Sequence, residues 1–114
     1  MAKLPNADKA IIEPRKLRDY LLSPTHPKGR YKADFFQRVG YSGANWKRLE
    51  RDLRALILSR DVTPTRKSRY GQKFNVRGPL TGPNGKAMQV VTAWIILDGE
   101  SVPRFITAHP GEPL

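Results

Sequence analysis

Along roughly the first 60 residues the apolar positions recur every three or four places; beyond residue 70 they alternate. The first period is that of a helix and the second that of a strand. Leu17, Tyr20 and Leu21 form a short apolar stripe after Pro14, a residue suited to the first turn of a helix. Ser23-Pro24-Thr25-His26-Pro27 must end that helix, because proline lacks the backbone donor a helix needs. A second helix is predicted over 30–39, with Ala33, Phe35 and Phe36 inward and Gly40 at its end. The third is the clearest: Trp46, Leu49, Leu53, Leu56 and Ile57 share one face, and Ser42 or Asn45 can cap it. Lys47, Arg48, Arg51 and Arg54 fall on the opposite side.

Thr63-Pro64-Thr65-Arg66-Lys67-Ser68-Arg69 reads as a polar, basic connector. After it, Tyr70, Gln72, Phe74 and Val76 share one side of a strand, and Lys73, Asn75 and Arg77 the other. Pro83-Asn84-Gly85 marks a hairpin turn. The run from Ala87 to Leu97 is apolar on both faces, which predicts a central strand. Asp98-Gly99-Glu100 turns into a last strand, Arg104 to His109, with Phe105, Thr107 and His109 expected on one side. Helices followed by strands give an α+β class: N-terminal helices packed on a C-terminal three- to four-stranded antiparallel meander. At 114 residues the chain fits one domain, mainly helical over about 1–60 and mainly strand over 70–110.

Charge narrows the partners. Lys and Arg number 21 against 10 Asp and Glu, a formal net charge of +11. Such a field attracts nucleic acid, an acidic protein or an anionic membrane surface. No apolar run approaches the roughly 18 residues of a spanning helix, so a membrane is the weakest of the three. Cysteine is absent, which excludes disulfides, thiolate metal sites and a cysteine nucleophile. No apolar leader follows Met1, and the expected site of action is the cytoplasm. Spaced metal ligands, a phosphate loop and a serine-hydrolase elbow are missing, so neither metal nor cofactor is expected. Any chemistry would fall to His, Lys, Arg, Thr or Tyr.

Two stretches hold both histidines. His26 lies in a proline-flanked loop beside Lys28, Arg30 and Lys32; His109 ends the last strand beside Arg104 and Thr107. Imidazole can take and give a proton near neutral pH. Metal-free RNA cleavage needs a base for the 2′-hydroxyl, an acid for the leaving oxygen, and cations for the charge at phosphorus. His26, Lys28, Lys32, Arg104, Thr107 and His109 are the candidates. Arg30, Lys47, Arg51, Arg54, Arg66, Lys67, Arg69 and Lys73 could guide a nucleic-acid backbone. The plainer alternatives stay open: His26 as an exposed turn residue, His109 as a bystander near the terminus, and the basic helix face as solvated surface.

Several motifs together resemble a group of small bacterial domains of uncharacterised function. They are Lys16-Leu17, Tyr20, Leu22, His26-Pro27-x-Gly29 and Lys32-Ala33-x-x-Phe36 in the first half. In the second they are Tyr70-Gly71-x-Lys73-Phe74, Leu80-Thr81-Gly82-Pro83-Asn84-Gly85, Trp94-Ile95-Ile96 and Pro103-Arg104-x-x-Thr107-Ala108-x-Pro110. Members stand alone or close the C-terminal ends of filamentous-haemagglutinin-type and other polymorphic toxins. The layout is also similar to the barnase, EndoU, colicin and RelE-like ribonuclease superfamily. The resemblance implies a metal-independent ribonuclease toxin acting on RNA such as tRNA, delivered into a target cell within a larger toxin. It also implies an acidic antitoxin or immunity partner. His26, Lys28, Lys32, Arg104 and Thr107 match the family pattern, whereas His109 stands where the family more often shows tyrosine. A non-enzymatic basic binding module and an immunity-type partner protein are the alternatives.

Overall fold

Four strands follow one another in chain order in a single sheet: β1 (Val62–Lys67), β2 (Gly71–Thr81), β3 (Ala87–Leu97) and β4 (Arg104–Pro110), each antiparallel to the next. The structure, a computed structural model, describes residues 3–27 and 30–111, with the backbone alone at Arg30, Pro64 and Arg66. Helices precede the meander, as the two periodicities predict. The basic connector, however, is largely strand. Residues 62–67 pair with β2 as an edge, where threonine is favoured and a proline unable to donate is tolerated. The pairing is irregular between Pro64 and Lys67.

Register divides the sheet into two faces. Val76 opposes Thr92, Phe74 opposes Trp94 and Gly78 opposes Val90, and this face carries the core. The other face has the cross-strand rows Lys73–Ile95–Arg104, Asn75–Ala93–Thr107 and Arg77–Val91–His109. Trp94 is fully buried, edge-on to Phe105 at 5.2 Å. Its Nε1 donates to Thr92 Oγ1 at 2.8 Å, and that hydroxyl donates to the Val76 carbonyl at 2.9 Å. The buried polar groups are thus paired, as burial requires.

In β4 simple alternation fails. Ala93 opposes Thr107 and Trp94 opposes Phe105, leaving Ile106 as an extra residue, a bulge. Phe105 and Ala108 are consequently both buried, while Thr107 and His109 keep the opposite face. The start of β4 is shielded by the N-terminal segment: Ile11 donates to the Pro103 carbonyl and accepts from Phe105 N–H, both at 2.9 Å.

The helical layer begins with α1 (Pro14–Lys16), which widens into a π-helical stretch, Leu17–Leu21. Leu22 N–H reaches back five residues to Leu17 O at 2.8 Å. The wide turn brings Leu17, Leu21 and Leu22 into the core together and leaves Tyr20 half-buried at its margin. Next, α2 (Arg30–Gln37) buries Ala33, Phe35 and Phe36 and stops before Gly40, whose φ of 100° suits glycine alone. A short 3-10 turn, Gly43–Asn45, leads into α3 (Trp46–Ser59). Asn45 ties the junction, accepting from Ser42 N–H at 2.8 Å and donating to Gly40 O at 3.0 Å. Leu49, Leu53, Leu56 and Ile57 are buried as their spacing predicts, whereas Trp46 is only half-buried.

Candidate functional site

Lys32 is where the helical layer meets the far edge of the sheet. It lies on α2 one place before buried Ala33, and its Nζ donates to Tyr20 Oη at 2.8 Å and to Thr107 Oγ1 at 3.0 Å. Tyr20 is presented by the π turn, and Thr107 by β4 just past the bulge. The His26 ring stands edge-on to Tyr20, centroids 4.9 Å apart at 85°. Beside them opens a cavity of about 430 Å³ lined by Arg15, Lys16, Asp19, Tyr20, His26 and Ile106. The bulge therefore does two things: Ile106 lines the cavity while Thr107 meets the lysine.

Two groups here can move a proton, the phenol and the imidazole, and an ammonium beside them can stabilise an anionic oxygen. Lys16 makes no ion pair among the described residues, whereas Arg15 is engaged by Glu13 at 2.7 Å. Asp19 is held below its ordinary value chiefly by its hydrogen bond from Arg18, which is raised in turn. Among the described residues, no three histidine or carboxylate side chains gather as a metal-holding group.

His26, Lys32 and Thr107, far apart in the chain, are thus brought together, with Tyr20 as the hinge between them. Arg104 points its charge elsewhere: Nε and Nη2 donate to the two Glu100 carboxylate oxygens at 3.0 and 3.2 Å. That pair lowers the Glu100 carboxyl and raises the guanidinium. His109 is exposed, two residues along from Thr107, with Nδ1 3.1 Å from the Pro110 carbonyl oxygen. Lys28 and the side chains of Arg30 and Arg66 lie outside the described residues.

Of the residues read as backbone guides, Arg54 has an internal task. It donates to the Ala10 carbonyl at 2.7 Å and pairs with Glu50 at 3.1 Å, fastening the N-terminal segment to α3. Arg51 lies 3.5 Å from Asp52, Lys67 4.0 Å from Asp98, and Arg69 stacks on Tyr70 at 5.1 Å. Lys47 is exposed beside Trp46, and Lys73 is half-buried on the face away from the core. Spacing alone places Tyr20 in the apolar stripe. The available signal was its position at the stripe's margin, six residues before His26.

Residues 3–112 match the family model Domain of unknown function (DUF6883). The chain belongs to this family. Among curated proteins nothing matches this DUF6883 domain. Among solved structures it is similar to a chain of a contact-dependent growth inhibition toxin–immunity protein complex from Klebsiella pneumoniae 342. The two share 20% identity with a TM-score of 0.66, over 89% of this chain and 99% of that one. At that identity the likeness concerns the fold.

Proposed function

We propose that this DUF6883 domain is a toxin-type, metal-independent ribonuclease, and that the Lys32–Tyr20–Thr107 cluster with His26 is its reaction centre. The observation that supports this most is the bridging ammonium, 2.8 Å from a phenol and 3.0 Å from a hydroxyl on different elements. In the reaction, one of His26 and Tyr20 removes the 2′-hydroxyl proton and that oxygen attacks phosphorus. The bond to the 5′-oxygen breaks, and the other group returns a proton to it, giving a 2′,3′-cyclic phosphate and a 5′-hydroxyl. Lys32 stabilises the charge that builds on the phosphoryl oxygens, and Thr107 holds the ammonium in place.

A toxin–immunity complex contains two kinds of chain, and net charge favours one of them here. A surplus of +11 suits the member that grips RNA, not the acidic member that would neutralise it. The domain would act in the cytoplasm of a target cell and be held inactive by an acidic partner protein. Incubating the purified protein with total RNA or tRNA in EDTA tests the reading. Discrete cleavage is expected, lost in Lys32→Met and His26→Ala; intact RNA with the wild-type protein would overturn it in favour of a binding module.

A further inference from the structure

A second cationic cleft lies away from the Lys32 centre. Arg60, just past the end of α3, and Arg77, in β2, both line a space of about 290 Å³ together with Gly78, Pro79 and Gly111. Six other arginines, Arg15, Arg18, Arg48, Arg51, Arg54 and Arg104, each have a carboxylate within 4.0 Å. The side chains of Arg60 and Arg77 have neither a carboxylate nor a hydrogen-bond partner among the described residues. In a chain carrying +11, a cleft flanked by two arginines whose side chains meet no carboxylate among the described residues attracts an anion.

The cleft is shaped by backbone. A Cβ built on Gly78 would lie 2.7 Å from Leu56 Cδ1, 3.2 Å from Arg60 Cγ and 3.3 Å from Arg60 Nε. The Arg60 stem therefore rests across a strand position where a side chain would push it away. Pairing of β1 with β2 ends at Val62 and Val76, so β1 does not cover β2 from Arg77 onward. Pro79 removes a donor from that edge, which discourages another strand from pairing there.

We propose that this cleft binds a phosphodiester of the RNA strand, as a second contact beyond the reaction centre; the identity of the strand rests on the reading above. Guanidinium forks grip phosphate through two parallel hydrogen bonds, a geometry lysine cannot supply. Arg77 shares a row with Val91 and His109, next to the row that ends in Thr107. Strand spacings put its Cα roughly 12 Å from that of Thr107. A short stretch of single strand can span that distance.

The test uses the intact protein and a short single-stranded 2′-O-methyl RNA, which binds but has no 2′-hydroxyl to react. Arg60→Gln and Arg77→Gln are each expected to weaken binding about tenfold. Each should also flatten the plot of log affinity against log salt by ~0.7. On cleavable RNA the same variants should raise KM and leave kcat alone. Arg38→Gln, an exposed arginine outside the cleft, is the control and should change nothing. Unaltered affinity and slope in both variants would overturn the proposal even if the protein cleaves RNA. Binding that falls as expected in a protein that never cleaves would sustain the cleft and remove the ribonuclease. Variants that keep RNA affinity but lose an acidic protein partner would overturn it and reassign the cleft to protein docking.

Discussion

The Lys32 ammonium donates to the Thr107 hydroxyl at 3.0 Å across 75 residues of chain, joining α2 to β4. A lysine held at both its Tyr20 and its Thr107 contact has lost rotamer freedom before any substrate arrives, which is the condition for preorganised charge stabilisation. Lys32→Met keeps the stem and removes the charge. Cleavage in a single-turnover assay is expected to fall ~10²- to 10³-fold. Thr107→Val, which leaves the ammonium with one anchor, should cost about tenfold, the scale of one hydrogen bond. Wild-type rates in Lys32→Met would remove it from the centre.

Tyr20 and His26 are separated by the pH dependence of the rate. Tyr20→Phe keeps the ring that packs on the core and on the imidazole, and deletes only the oxygen that Lys32 grips. A group that moves a proton in the rate-limiting step contributes ~10²- to 10⁴-fold. Each variant should therefore lose that much and also lose one limb of a bell-shaped profile of kcat/KM. If either retains both limbs, the proton passes through another residue and that member is positional only.

The elements whose signals are local could be read from the chain. β3 has its apolar run, the hairpin has Pro83-Asn84-Gly85, and α3 has Leu49, Leu53, Leu56 and Ile57 at helical spacing. What escaped depends on distant partners. β1 is a strand because β2 lies beside it; Pro64 and the charges around it suggest only a connector. The bulge at Ile106 leaves no mark in composition, yet it decides which residues of β4 face the core. Arg54 looks like one cation among four on a helix face until the Ala10 carbonyl, 44 residues away, receives it. Glu100 stands four residues before Arg104, a spacing that pairs charges on a helix but predicts no pairing where a turn enters a strand. At the candidate site the histidine, lysine and threonine were legible as residue types. The phenol that links them reads by its spacing as part of a hydrophobic stripe, because nothing local to Tyr20 marks Lys32 as its partner.

The hairpin between β2 and β3 is docked just past the end of α2, where Gly82 leaves room for the closest approach. A Cβ on Gly82 would sit 1.9 Å from Val39 O and 2.7 Å from Val39 C, both backbone atoms that cannot swing aside. Asn84 fastens the same contact through its N–H to Val39 O at 3.3 Å and its amide to Arg38 O at 3.0 Å. Gly82→Ala is expected to destabilise the fold by about 3 kcal/mol or more. Gly85→Ala is the comparison, since its Cβ would meet nothing within 4 Å and only the φ of 84° is strained, at roughly 1–2 kcal/mol. Urea unfolding of both variants checks the order; an equal loss would show that hairpin docking tolerates the extra carbon.

Tyr41 gives the fold an alkaline limit. Its side chain is fully buried, and the hydroxyl donates to Asp52 Oδ2 at 2.5 Å. Burial first, and the neighbouring carboxylate second, push its ionisation well above the ordinary value near 10. The folded state therefore keeps the phenolic proton at a pH where the unfolded chain gives it up. Stability from this group is whole below pH 10 and falls as pH rises beyond it, by about 1.4 kcal/mol per pH unit until the folded phenol itself ionises. Tyr41→Phe should lower stability at pH 7 through the lost hydrogen bond, by about 1 kcal/mol, yet show a shallower decline above pH 10. Denaturant titrations of both proteins between pH 7 and 11 check this. Parallel alkaline slopes would mean that another group sets the limit.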